Sequence, residues 1–202
     1  MKISALESAL AGLPVGGLRY YDRIASTNDA AAPWAAEGAA DFSIVVADEQ
    51  TRGRGRAGRR WLTPPGSALA FSLILSEEDL SQWKLSKIIP RFTGLGALAV
   101  CTALIEDFRL PAEIKWPNDV LVGGRKVCGV LVEASSWGYP SWTFHSRIGA
   151  WDYPNWALKR FIDVHCRANE RYRRTALLPA ELGWWAIFGP NRNRDAELPD
   201  EL

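Results

Sequence analysis

Residues 18–24 (LRYYDRI) alternate between apolar and polar and are rich in β-forming side chains, so they predict a short strand. Ser26 then offers an N-cap for a helix from Asn28 to about Glu37, which Pro33 and Gly38 weaken and shorten. Two compact apolar runs, 42–47 (FSIVVA) and 68–75 (ALAFSLIL), have the length of buried strands. From 83 to 108 the period lengthens: Leu85, Ile88, Phe92, Leu95, Ala99 and Thr102 recur at three and four residue intervals. This predicts one core helix, interrupted or started late by Pro90. Three short strands follow at 113–116, 119–122 and 126–132, with Gly123-Gly124 as the hairpin turn between the last two. Short turns cannot join parallel neighbours, so the order predicts an α/β domain of α+β type with a mixed, largely antiparallel sheet packed against helices.

Past Ser136 neither period persists outside a candidate helix at 156–174, and six of the ten tryptophans fall between Trp137 and Trp185. The chain thus divides into a core, 1–136, and an atypical C-terminal segment, 137–202, which either completes the domain or is degenerate. At 202 residues with 48% hydrophobic side chains, the chain is long enough for a full core. Its 24 basic and 23 acidic residues give a net charge of +1, so no global field recommends nucleic acid or an anionic membrane as partner. Three scattered cysteines indicate neither a disulfide framework nor a zinc site. The N-terminus lacks a signal-type apolar stretch and no run of about 18 apolar residues occurs, so the expectation is a cytoplasmic protein without a membrane-spanning helix.

Four segments carry candidate chemistry. Gln50 to Trp61 (QTRGRGRAGRRW) places five arginines and three glycines in a loop between two strands, where backbone and guanidinium groups can close on an anion. By composition alone it reads equally as an exposed basic loop or an RNA-contacting segment. Ile114 to Val120 (IKWPNDV) sets Lys115, Asn118 and Asp119 around a proline-fixed turn. Alternation between Ile114 and Trp116 would point Lys115 inward, where an ammonium needs an anion; a lysine that snorkels outward from an Asx-type turn is the alternative. Residues 124–133 (GRKVCGVLVE) begin basic and end on a carboxylate, with Gly129 marking a close approach in mid-strand. Ser26-Thr27-Asn28 at a helix N-terminus can orient a small polar head group or serve as a plain cap.

In this order and spacing, the four segments closely resemble the biotin–protein ligase family over roughly residues 18–134, in its monofunctional type without a DNA-binding domain. The resemblance implies a class II synthetase-like catalytic domain that uses ATP, with magnesium, to activate biotin as biotinyl-5′-AMP. It then implies transfer of the acyl group to a lysine of a biotin carboxyl carrier protein, with neither DNA nor membrane as partner. By similarity Ser26, Thr27, Asn28 and Gln50 contact the biotin head group, and Arg54, Gly55 and Arg56 close over biotin and the phosphate. Lys115 holds the carboxylate and α-phosphate oxygens, making Lys115, Arg54 and Arg56 the implied catalytic set. Gly53, Arg59, Trp61, Asn118 and Asp119 are implied for ATP and adenylate; Lys126 and Glu133 are assigned to local pairing. No metal ligand is singled out. The loop is expected to be mobile when empty and ordered by ligand.

The family's next glycine-containing wall segment is not matched by residues 146–155. Alternatives are therefore an inactive remnant, a lipoate or octanoate transferase, and, in a different class, a nucleic-acid binder built on the arginine loop.

Overall fold

The computed structural model describes residues 3–75, 85–134 and 140–146. The chain divides into two compact units, Met1–His165 and Cys166–Leu202, and all the described residues lie in the first. The expected helix at 156–174, Trp83 and the stretch 147–155 fall outside the described residues.

Among the described residues eight strands form one sheet. β1 (Leu18–Ile24) lies parallel to β2 (Ile44–Arg54), and every other pairing, among β3 (Arg60–Thr63), β4 (Ala70–Ile74), β5 (Ala112–Lys115), β6 (Asp119–Val122), β7 (Arg125–Ala134) and β8 (Pro140–Ser146), is antiparallel. The order is β1-β2-β4-β8-β7-β6-β5, with β3 paired to β2 off this path. The expected mixed, largely antiparallel sheet is therefore present. β8, which alternation did not reveal, lies beyond residue 136 and joins β4 to β7 in the middle of the sheet.

Among the described residues three α-helices accompany the sheet. α1 (Ile3–Leu10), not foreseen in the sequence, buries Leu6 and Leu10, four residues apart on one face. α2 (Thr27–Ala36) packs on β2 and β4, where Ala31 and Ala35 meet Val45 and Ile74. It runs through Pro33 to its full ten residues, because packing outweighs the one backbone bond that proline removes. α3 (Leu85–Phe108) likewise continues through an exposed Pro90. Its stretch Ile89–Phe108 is long and apolar enough to cross a membrane, a correction to the reading from consecutive apolar residues, which overlooks scattered polar positions. Most of that stretch is buried, with Phe92, Leu95 and Leu104 among the core side chains, and α3 packs on β5, β6 and β7.

The largest correction concerns the arginine-rich segment. It is a β-hairpin: β2 continues through Gln50 to Arg54, and β3 returns from Arg60. Arg59 N–H donates to the Arg56 carbonyl and Gly55 N–H to the Arg59 carbonyl, closing the turn. Ala57 (φ 55) and Gly58 (φ 70) supply the two left-handed positions that such a tight turn requires, at a cost of about 1–2 kcal/mol for the alanine. Gly123 and Gly124, at φ 57 and 73, make the corresponding turn between β6 and β7 as expected.

Candidate active site

The hairpin strand β2 links two polar regions. The inner one surrounds the start of α2, where Ser26, Thr27, Asn28, Gln50 and Ser72 are each no more than 1% exposed. Ser26 occupies the N-cap position but its side chain makes no capping bond. The first helical amide, Thr27 N–H, donates instead to Gln50 Oε1 at 2.7 Å, so a residue of β2 caps the helix from outside.

Around this contact four side-chain oxygens crowd together. Thr27 Oγ1 stands 3.0 Å from Gln50 Oε1, Ser72 Oγ 2.8 Å from Thr27 Oγ1, and Ser72 Oγ 2.7 Å from Asn28 Oδ1. The two hydroxyls own one proton each, and amide oxygens only accept, so two protons serve three oxygen–oxygen contacts. The inner region is therefore a closely packed, buried cluster of amides and hydroxyls. Thr63, opposite Gln50 in the β2–β3 ladder, also has a buried hydroxyl without a partner among the described residues. Ser72 is the polar member of the strand Ala70–Ile74, on the face that α2 covers.

From the inner region a chain of hydrogen bonds runs outward. Asn28 Nδ2 donates to Glu133 Oε2 at 2.6 Å, and Arg54 Nε and Nη2 donate to the two Glu133 oxygens at 3.1 and 2.8 Å. Arg54 also pairs with Asp29 in the first turn of α2. Hydrogen bonds from Glu133, ahead of those from Asp29, raise the Arg54 pKa above its already high ordinary value. Glu133 thus joins residues 79 and 105 positions away, which corrects its assignment to local pairing.

The outer region is an open groove of about 480 Å³ beside the hairpin. Arg54, Arg56, Arg59, Arg60 and Lys126 line it, against one carboxylate among the described residues, Asp119. Lys126 Nζ pairs with Asp119 Oδ1 at 2.6 Å and lies 5.1 Å from the centroid of the Trp61 ring. A side chain at Gly129 would meet the Lys126 ammonium and Cε at 3.0 Å, so the glycine leaves the path that lysine occupies. Across the groove Arg56 donates to Asn118 Oδ1 at 3.0 Å, and Asn118 Nδ2 donates to Asp119 Oδ1 at 2.8 Å. The groove is thus spanned by a second chain, Arg56, Asn118, Asp119 and Lys126.

Several residues expected from the sequence fall where they were sought, and others do not. Arg54, Gly55, Arg56, Arg59, Trp61, Asn118 and Asp119 come together at the groove. Gly53 does not line it: the residue is buried, and an added side chain would strike the Trp61 carbonyl at 2.5 Å. Lys115 is the main correction. The half-buried positions of β5 are Ala112 and Ile114, so alternation turns Lys115 outward with Glu113. It is exposed, does not line the groove, and has no carboxylate in ion-pair range among the described residues. Ser72 and Asp29 were missed, and Glu133 was given only local pairing, because their partners are remote in sequence; the lone serine in an apolar strand was the one available signal.

The profile of the biotin/lipoate A/B protein ligase family matches residues 20–141, more than half of the chain. The chain belongs to that family. Among relatives, it is 40% identical over 116 residues to the bifunctional ligase/repressor BirA of Bacillus subtilis, covering 57% of this chain and 34% of the relative. It is 39% identical over 105 residues to the biotin–[acetyl-CoA-carboxylase] ligase of Paracoccus denitrificans, covering 51% and 41%. The chain thus spans well under half the length of these family members.

Solved structures of the family share the fold. The biotin protein ligase from Aquifex aeolicus in complex with biotin and ATP superimposes with a TM-score of 0.65 at 25% identity, covering 78% of this chain and 72% of that one. The Leishmania major biotin protein ligase in complex with biotin gives a TM-score of 0.66 at 20% identity, covering 94% and 87%.

Proposed function

We propose that the chain activates biotin with ATP and transfers it to a lysine of a biotin carboxyl carrier protein. The observation that carries this reading is the pairing of a buried polar cluster with a cationic groove, both built on the hairpin strand β2. A cyclic urea, with two N–H donors and one carbonyl acceptor, suits the buried amides and hydroxyls around Thr27 and Ser72, and an acyl phosphate suits the groove.

In the first step a carboxylate oxygen attacks the α-phosphorus of ATP and pyrophosphate leaves with the bonding electron pair. Negative charge gathers on the oxygens between carboxylate and phosphorus, and a fixed ammonium stabilises it without reorganisation. Lys126 is the residue proposed for this task in place of Lys115, because it reaches into the groove and is held there by Asp119. Arg56 and Arg59 supply further positive charge at the groove mouth, and Trp61 offers an aromatic face to the nucleotide. In the second step the carrier's lysine nitrogen attacks the acyl carbon, AMP departs, and the nitrogen releases a proton to solvent.

Magnesium would enter with the nucleotide. Among the described residues no three acidic, histidine or cysteine side chains converge on a point. One carboxylate and one amide, Asp119 and Asn118, suit an ion carried mainly by phosphates. It would offset phosphate charge. ATP as co-substrate accords with action in the cytoplasm.

The test is biotin-dependent exchange of pyrophosphate into ATP, followed by labelling of a carrier domain. Exchange driven by lipoate or octanoate and not by biotin would move the assignment within the family. Absence of exchange with any acid, together with steeply salt-dependent binding of RNA, would replace it with nucleic-acid binding.

A further inference from the structure

We propose that Glu133 is a positioning residue that sets the head-group site and the hairpin in one register. The inference rests on the ligase reading above and extends it to a residue outside the groove.

Glu133 ends the apolar run of β7 with its side chain 35% exposed, and it faces two functional elements at once. One of its oxygens accepts from Asn28 Nδ2 and Arg54 Nη2 together, while the other accepts from Arg54 Nε. Asn28 is 1% exposed and its amide is held at both ends, by Ser72 at the oxygen and by Glu133 at the nitrogen. The carboxylate therefore decides which way the amide points. With its nitrogen on Glu133, Asn28 presents Oδ1 to the Ser72 hydroxyl, which donates to it at 2.7 Å.

On its other side the same carboxylate grips Arg54 by two parallel bonds, a geometry that fixes direction as well as distance. Arg54 is the last residue of β2, immediately before the Gly55–Arg56 turn that borders the groove. With Asp29 on the same guanidinium, the charge of Arg54 is already answered by two carboxylates. Arg54 thus acts here as a strut between hairpin, α2 and β7, leaving Arg56, Arg59 and Lys126 to meet an anion. A neutral amide at position 133 could still accept from Asn28, but it would turn a donor toward the guanidinium and break the shared register.

The test compares Glu133→Gln, Glu133→Asp and Asp29→Asn in the full chain. Pyrophosphate exchange is titrated separately with biotin and ATP, and biotin binding is measured by calorimetry. Glu133→Gln is expected to raise the KM and Kd for biotin about tenfold or more, with the KM for ATP changed less than about threefold, because one buried polar contact is misdirected. Glu133→Asp, which keeps the charge, should recover part of the loss. Asp29→Asn, which removes one of the two carboxylates on Arg54 and leaves the Asn28–Glu133 bond in place, should cost less biotin affinity than Glu133→Gln.

Unchanged biotin binding in Glu133→Gln overturns the proposal. So does a loss that follows only the folded fraction, with both KM values intact. An unmodified chain that neither exchanges pyrophosphate nor binds biotin overturns the ligase reading itself, and this inference with it.

Discussion

The inner cluster around Thr27 and the outer groove around Lys126 are built from one strand, four residues apart from Gln50 to Arg54, yet they obey different rules. The inner cluster is closed to solvent and carries no formal charge on Thr27, Asn28, Gln50 or Ser72, so its selectivity lies in the orientation of amides and hydroxyls. The groove is open, its arginines 56, 59 and 60 are exposed, and its selectivity lies in charge. On the proposed ligase reading, the difference assigns recognition to the inner cluster and activation to the groove. Glu133 and Arg54 join the two regions through their paired hydrogen bonds.

The groove breaks most visibly at its cation. Lys126→Ala should slow biotin-dependent pyrophosphate exchange about 10²–10³-fold through loss of transition-state charge stabilisation, with the fold retained. Lys115→Ala should stay near the unmodified rate, and the opposite ranking of the two lysines would reverse the assignment. Gly129→Ala comes next. Its methyl group would displace the Lys126 ammonium from a 3.0 Å contact and lower kcat by about tenfold, while biotin affinity measured by calorimetry stays the same.

The inner cluster should break through stability as well as affinity. Ser72→Ala leaves the buried Asn28 oxygen without its donor and should lower unfolding free energy by about 1–3 kcal/mol, read by chemical denaturation. Arg59→Ala in the groove should leave the denaturation midpoint in place. Added salt sharpens the same contrast: going from about 0.05 to 0.5 M should raise the KM for ATP several-fold and that for biotin little, since screening acts on exposed charge.

The smallest effect concerns Cys128, which is buried in β7 beside the site. Burial, ahead of the opposing pull of Lys126, pushes its thiol from 9.0 up to about 12. The raised value means that the neutral thiol's contribution to stability is complete below pH 9 and is lost as pH climbs through about 12. At pH 8 alkylation followed by peptide mapping should therefore leave Cys128 unlabelled until the protein is unfolded.

Much of this was legible along the chain. The alternation of LRYYDRI matches β1 residue for residue, the period from Leu85 to Phe108 is α3, and the paired glycines at 123 and 124 are the β6–β7 turn. The arginine-rich segment was recognisable as a site, but its glycines and charges disguised a strand, because β2 is held there by ladder bonds to β3 that no local propensity reports. Position within a motif likewise pointed to Lys115. Its neighbours Ile114 and Trp116 are apolar, but Ile114 takes the half-buried side of β5 and Trp116 is 58% exposed, so alternation leaves Lys115 on the exposed side.

By itself the chain determined its periodic elements, its turns and the family to which its motifs belong, because these depend on residues within a few positions of one another. Only the tertiary structure decided which lysine enters the groove, that Gln50 caps α2, and that Glu133 holds Asn28 and Arg54 together. Those contacts join residues 23 to 105 positions apart, and their direction depends on strand register and on which proton each buried group has to give.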